Sequence, residues 1–499
     1  MIIVVSDLHL GEGCRPETGK FSPTEDFFFD GHFARFLERI DSSAAKSIHL
    51  IINGDLFDFL QVMIAQEEIE ASPHFADQPR KTREYIRKYG AKTDERSTIM
   101  KLEKIARGHS VFFNALGRFV AAGNRLTIVI GNHDIELFWP GVQTRFRELL
   151  RVEEFAATAA DGAVLVDNIE FSPWILYDRD YQFYVEHGNQ YEVVNSFRYC
   201  LYPVLPKKQG EVNLPFGSLI VRYLLNQVER INPFADNIKP NTKYVAWAFK
   251  SNPLGFKRLL KLLGQFVIMV AKSYRRSGSL SRYDAADLIK FQEETDRRIE
   301  ALSQRYGIVG DTTTMDHPLC RILALHKLPI NDSKRRFLWR GFLSYLDLLL
   351  FLLGGAGVAL FVLSAGIIGW SPVVSIMLLA TVVLSLSAGN IFFSVSSSVS
   401  EKNLRFLRAI KRLMDESGNP VRYLTFGHTH EPAIEKIGED GTYFNTGTWG
   451  VIFNDQEELI REKGQFAVLM LDEPGSTPRL VRWNDGLGDL EPLPLFESR

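Results

Sequence analysis

Short apolar runs alternate with amphipathic stretches through the first 200 residues. Runs of β-favouring residues predict strands at 2–5, 48–52, 126–130, 163–166 and 182–186. Helical spacing predicts helices at 25–40, 98–121 and 141–151. Such alternation argues for an α/β domain. Residues 73–97 are polar and charged, and read as a surface excursion. After residue 191 the texture turns helical and basic, and strands resume at 421–426, 433–437, 443–446, 465–471 and 479–483. Two runs break the pattern. Leu348 to Trp370 and Pro372 to Ser394 are each 23 residues without a charge. A bilayer core needs about 20 residues of helix, so each run is long enough to span it. Only Ser371 separates them, which predicts a tight transmembrane hairpin.

Charge supports that reading. Lys334, Arg335, Arg336 and Arg340 precede the hairpin, and Lys402, Arg405, Arg408, Lys411 and Arg412 follow it. The turn between the runs is uncharged, so the positive-inside rule puts both flanks in the cytoplasm. Asp347 reads as an interfacial carboxylate beside Arg340. The overall charge of -2 hides an asymmetry. Residues 201–340 hold 24 Lys and Arg against 12 Asp and Glu, so an acidic shell brackets a basic middle. Within it, 237–283 carries ten basic residues and no acidic one. Phe256-Lys257-Arg258-Leu259-Leu260-Lys261 followed by Phe266-Val267-Ile268 reads as a basic amphipathic helix on an anionic leaflet. A nucleic-acid patch and a helix packed on its own domain are the competing readings.

Composition narrows the class further. With 45% hydrophobic and 24% charged residues the chain is not broadly disordered. Cys14, Cys200 and Cys320 are few and scattered, which excludes a disulfide scaffold or a cysteine zinc finger. The run Ile2-Ile3-Val4-Val5 reads as a buried strand rather than a signal peptide. The expected organisation is a core in two parts, 1–200 and 421–499. Between them lie a basic helical insertion at 201–340, the hairpin at 341–398 and a basic return helix at 399–420.

Five predicted strands end alike. Ile2–Ser6 leads to Asp7-Leu8-His9, and His49–Asn53 to Gly54-Asp55-Leu56-Phe57-Asp58. Leu126–Ile130 leads to Gly131-Asn132-His133-Asp134, Phe183–Glu186 to His187-Gly188-Asn189, and Tyr423–Phe426 to Gly427-His428-Thr429-His430. Open α/β sheets place their sites at the carboxyl ends of strands. Imidazole and carboxylate without thiolate suit hard-to-borderline divalent cations. In an extended segment alternate residues face the same way, so both side chains of Asp7-x-His9 or His428-x-His430 can reach one site. Each motif alone is weak, since a single Asp-x-His is usually just a strand end. Five in one chain are hard to produce by chance.

Together these motifs resemble the calcineurin-like metallophosphoesterases, whose signature is D-x-H, G-D-x-x-D, G-N-H-D/E, a lone His before Gly, and G-H-x-H. The resemblance covers about 1–200 and 421–450 and leaves 201–420 unexplained. It implies a four-layer αββα sandwich, here with a large helical insertion containing the two-helix hairpin. By position it implies that Asp7, His9 and His430 hold one metal, that Asn132, His187 and His428 hold the other, and that Asp55 bridges them. His133 would stabilise the transition state or protonate the leaving oxygen, oriented by Asp134. Phe59 stands after Asp58 where many relatives have Arg. Two divalent ions about 3.5–4 Å apart can activate a hydroxide and clamp phosphoryl oxygens for in-line attack. Manganese is the foremost expectation, with Fe, Zn or Ni admitted by the same donors.

The insertion lies between two metal-binding motifs, so its base is expected near the site. A basic, membrane-associated insertion points to an anionic phosphoester substrate, a phosphodiester, pyrophosphate or monoester, either lipid-linked or merely present at the membrane. A looser similarity is to the UDP-2,3-diacylglucosamine pyrophosphatases, which also carry a helical insertion between their last two histidine motifs. That branch typically has Arg where this chain has His133, and a much smaller insertion. The expected location is the inner membrane of a bacterial cell, held by 342–397 and by the basic segment 237–283, with the catalytic domain cytoplasmic. A nuclease or nucleotide phosphodiesterase and a non-catalytic membrane scaffold are the alternatives. The hairpin weighs against a nucleic-acid partner, and no protein partner is inferable.

Overall fold

The computed structural model describes residues 1–43, 47–150, 167–192, 194–205, 208–226, 285–310, 316–326, 399–453 and 459–493. In chain order the strands of its two main sheets are β1 (Ile2–Val5), β2 (His49–Asn53), β3 (Arg125–Val129), β4 (Ile169–Ser172), β5 (Ile175–Asp178), β6 (Phe183–Glu186), β7 (Tyr423–Phe426), β8 (Ala433–Ile437), β9 (Gly441–Asn445), β10 (Ala467–Leu471), β11 (Arg479–Asn484) and β12 (Asp489–Pro492). The first sheet runs β12-β11-β10-β1-β2-β3-β4 and the second β8-β9-β7-β6-β5. Within the first, β1, β2, β3 and β4 are parallel neighbours. Within the second, β6 pairs in parallel with β7. Every strand that ends in a candidate ligand therefore sits beside another such strand.

Alternation along the strands assembles the layers. Ile2, Val4, Ile51, Val129 and Leu469 project from one face of the first sheet and pack with Leu176, Phe183, Val185, Tyr423 and Phe444 of the second. The two sheets thus share a dry interface, and strands buried on both faces read as nearly continuous apolar runs. The opposite side chains, Ile3, Val5, Leu50, Ile52, Leu126 and Ile128, join Phe33, Phe36, Phe112, Leu116, Phe119 and Phe146. These come from helices α1 (Asp30–Ser43), α3 (Ser110–Ala121) and α4 (Pro140–Leu150), with α2 (Glu95–Gly108) between α1 and α3 in sequence. The outer face of the second sheet is covered from the middle of the chain. Helices α5 (Ala285–Tyr306), α6 (Pro318–Leu323) and α7 (Val399–Glu416) bring Ile299, Leu302, Ile322, Leu407, Ile410 and Met414 to the core that holds Tyr177, Tyr184 and Leu424. Asn419 pins the base of this layer: its Oδ1 accepts from Val309 N (2.8 Å) and Arg179 Nη2 (2.9 Å).

The helix expected over 98–121 is two helices. The break falls at His109 (φ -117°, ψ 40°), and at Gly108 before it a side chain would overlap the Glu12 carbonyl. The excursion at 73–97 is also ordered differently from its polar reading. Helices Gln66–Ala71 and Arg80–Tyr89 enclose a small core of Ile64, Ile69, Phe75, Ile86 and Ala91. Too few apolar residues lie in that stretch to show a period, yet they meet in three dimensions. The start of the insertion docks there: the Arg222 guanidinium donates to the Tyr89 and Gly90 carbonyls, both at 3.3 Å. The predicted strand at 163–166 lies outside the described residues, as do 237–283, the hairpin at 341–398 and both of its uncharged runs. Among the described residues no helix is long and apolar enough to cross a membrane.

Candidate metal centre

The five strand ends meet at one edge of the two sheets. Backbone strain concentrates there. Among the described residues seven non-glycine positions have positive φ, and five of them are Asp7, His9, Asp55, His428 and His430. Such conformations cost of order 1–3 kcal/mol each and persist where surroundings dictate them. Here hydrogen bonds between the segments do so. Asp7 N donates to Gly54 O (3.1 Å), and Leu8 N and His9 N both donate to Asp55 O (3.0 and 2.9 Å). His428 N reaches both Asp7 carboxylate oxygens at 3.0–3.1 Å. Asn445 Nδ2 donates to Gly427 O (2.9 Å), and Thr448 Oγ1 to Asp7 O (2.7 Å). Two glycines permit the close approach: a side chain at Gly131 would overlap the Asp55 carboxylate, and one at Gly427 that of Asp7.

Three donor clusters result among the described residues: His9, Asp58 and His133 form one, and the other two hold the expected ligands. Asp7, His9 and His430 lie with one ligand atom of each within 4.8 Å of the others, and so do Asp55, His187 and His428. In the first, His9 Nε2 faces His430 Nε2 at 3.1 Å, and His430 Nε2 is 3.3 Å from Asp7 Oδ1. In the second, His187 Nε2 lies 3.0 Å from Asp55 Oδ2 and 3.3 Å from Asn132 Oδ1. His9 Nε2 is 3.9 Å from that same Asp55 oxygen, which sets Asp55 between the clusters. Asp7, Asp55, Asn132 and His187 are at most 1% exposed.

These residues fit divalent cations. His187 Nδ1 donates to the Asn53 carbonyl (2.9 Å), so in the neutral ring Nε2 carries a lone pair. That lone pair points at two oxygens, and three acceptors converging in a buried place require a cation or a proton. With the proton as the only cation, the imidazolium is held. Burial would lower the His187 pKa, but the Asp55 charge outweighs it and pushes it up to about 9. Four buried carboxylates, Asp7, Asp55, Asp58 and Asp134, crowd the same edge. Such a concentration of buried charge needs compensation from cations.

The residue next to the reacting position differs from expectation in its support. Both oxygens of Asp134 accept backbone amides: Gly131 N at 2.7 Å and Leu56 N at 2.8 Å. Asp134 therefore staples the Gly131 turn to the Asp55 turn. The carboxylate on His133 is Asp58, whose Oδ2 accepts from Nδ1 at 2.6 Å. Burial would raise the Asp58 pKa, but His133 and His9 hold it well below the usual carboxylate range. The second Asp of Gly-Asp-x-x-Asp was the available sequence signal for this role. Asp134 failed it because a turn with exposed amides claims a neighbouring carboxylate first. His133 keeps 19% of its side chain exposed, so it faces the open side of the centre. Ile135 and Leu137 are buried, the Phe138 ring meets Tyr202 and Arg298, and Trp139 Nε1 donates to Thr93 O (2.8 Å), so the segment after Asp134 is packed into the fold.

Residues 1–207 match the calcineurin-like phosphoesterase family. That stretch is a calcineurin-like phosphoesterase domain and makes the protein a metal-dependent phosphoester hydrolase. The match ends before His428 and His430, which the fold returns to the same edge. Neither the curated proteins nor the solved structures yield a match.

Proposed function

We propose that the protein hydrolyses a phosphoester at the cytoplasmic face of a membrane, using two divalent ions, Mn²⁺ foremost. The observation that carries this reading is the convergence of Asp55 Oδ2, Asn132 Oδ1 and His187 Nε2 beside the Asp7, His9 and His430 donors. Asp7, His9 and His430 would hold one ion and Asn132, His187 and His428 the other, with Asp55 shared. Bound there, the ions supply an activated water and charge neutralisation for in-line displacement at phosphorus. The chain's own contribution is positioning and proton handling. Asp58 fixes the His133 ring through Nδ1, so Nε2 is the nitrogen that serves the phosphoryl or leaving oxygen. Asp134 holds the turns that carry Asp55 and Asn132 in register.

The uncharged runs at 348–370 and 372–394, flanked by basic residues, support a hairpin anchor. The basic segment 237–283 supports contact with an anionic leaflet of an inner membrane. Both flanks of the anchor belong to the side that carries the catalytic domain, so a substrate held in that leaflet lies within reach. A lipid-linked pyrophosphate or diester, of the kind cleaved by UDP-2,3-diacylglucosamine pyrophosphatases, is the substrate class this favours. The test compares an aryl phosphodiester, an aryl monoester and a lipid-linked pyrophosphate, with detergent-purified protein and Mn²⁺. Preference for the lipid-linked substrate over the soluble esters is expected. Preference for either soluble ester over the lipid-linked substrate would overturn the membrane part of the reading.

A further inference from the structure

The turn after His187 does more than follow a ligand. Gly188 takes a left-handed conformation (φ 104°), and Asn189–Tyr191 closes a single 3₁₀ turn. Tyr191 then stacks on Phe426, with ring centroids 5.5 Å apart and planes 6° from parallel. Phe426 is the last residue of β7, two before His428. The stack therefore mates the segment behind one candidate ligand with the segment leading to another. The Tyr191 hydroxyl is tied to the buried Glu186 carboxylate at 3.1 Å, which fixes the turn from below. Glu192 follows directly. Its Oε2 lies 2.6 Å from His428 Nε2 and accepts from Asn195 Nδ2 at 2.9 Å.

We propose that Glu192 is a positioning residue for the second metal, holding the His428 ring through its Nε2. A carboxylate at that distance requires the hydrogen on Nε2, which leaves Nδ1 as the nitrogen with a lone pair for a cation. His187 is fixed in the opposite sense: its Nδ1 donates to the Asn53 carbonyl and its Nε2 faces the site. Each imidazole is locked through the nitrogen that does not bind. Carboxylate partners of this kind typically contribute 10–100-fold in metal affinity or activity. The inference rests on the two-metal reading of the centre.

The test titrates Mn²⁺ into the metal-free full-length protein, in detergent, for the wild type, Glu192→Ala and Glu192→Gln. Bound and free ion are read by electron paramagnetic resonance, and metal-free melting temperatures are compared as a folding control. The wild type is expected to bind two ions. Glu192→Ala should bind one ion as the wild type does and the other about 10–100-fold more weakly. Glu192→Gln, which keeps an acceptor oxygen, should recover part of the loss. Two ions bound to Glu192→Ala with wild-type affinity would overturn the role of Glu192 and leave the two-metal reading standing. A wild type that binds fewer than two ions would overturn both.

Discussion

The two donor clusters that hold the expected ligands are built on different principles. The first joins the two ends of the chain, with Asp7 and His9 meeting His430 across 421 or more positions, and its His430 side chain is 27% exposed. The second draws on the ends of four strands, β2, β3, β6 and β7, and its Asp55 and His187 side chains are each 1% exposed. The rings of the second cluster are gripped on their outer nitrogens by Asn53 and Glu192. The His9 ring of the first has Asp58 at 3.9 Å from Nδ1, too far for a hydrogen bond. The second cluster is the more buried, and the first is the more exposed through His430. Asp55 lies between the two clusters, so in the proposed two-ion centre this carboxylate, and not any histidine, is the point on which both would depend.

The largest effect should therefore come from Asp55→Ala. It is expected to abolish measurable turnover and weaken both ions, as read by metal titration beside the kinetic assay. Selective loss of a single ion would break the comparison by showing that Asp55 serves one cluster. Next comes His133→Ala. Loss of a group that assists proton transfer costs about 10²–10⁴-fold, here with both ions still bound. A variant depleted of metal would make His133 part of a cluster instead. Asp58→Asn should follow with a loss no larger than the roughly 10²-fold lower end of general acid–base assistance, because the ring it orients remains but loses its charged partner. Its signature is a fall in kcat and a changed pH profile with metal stoichiometry unchanged.

The smallest effect on turnover is expected from His109, which braces the first cluster from behind. The loop after His9 is held by Glu25, whose Oε1 accepts from Gly11 N (3.1 Å) and Phe27 N (2.9 Å). His109 lies between Glu25 (3.4 Å) and Asp30 (3.0 Å). Burial would lower its pKa, but the two carboxylates push it up from 6.5 to about 10. A base whose folded pKa is raised stabilises the fold fully below its unfolded pKa, and that contribution is lost as pH rises through about 10. His109→Gln should therefore cost about 3 kcal/mol or more in denaturant unfolding at pH 6. The gap to wild type should narrow between pH 7 and 10. A gap independent of pH would show that His109 is held neutral.

Much of this arrangement was legible in the sequence because strand ends print their chemistry in consecutive letters. Asp7-x-His9, Gly54-Asp55, Gly131-Asn132-His133, His187-Gly188 and Gly427-His428-x-His430 each sit directly after an apolar run, and the fold brings all five to one edge. The strands β4 and β5 were not predicted, since Asn168 to Asp178 mixes polar and apolar positions around a tight turn. Partnerships between distant segments leave no local trace. Nothing near Glu192 signals that a stacked Tyr191–Phe426 pair aims it at His428, 236 positions away. The same holds for Asp58 against Asp134, where the outcome turned on which carboxylate the Gly131 and Leu56 amides would claim. The helices α5 and α7 read from sequence as parts of the basic insertion and of the basic return helix, yet they supply Ile299, Leu302, Leu407 and Ile410 to the main core.

The most direct test of the central claim is turnover of an aryl phosphodiester by metal-depleted protein as Mn²⁺ is added back, with Asp55→Ala in parallel. Activity that rises with the second equivalent of Mn²⁺ and is missing from Asp55→Ala is the predicted result. Full activity at one equivalent, or equal activity in Asp55→Ala, would contradict a centre in which one carboxylate serves two ions.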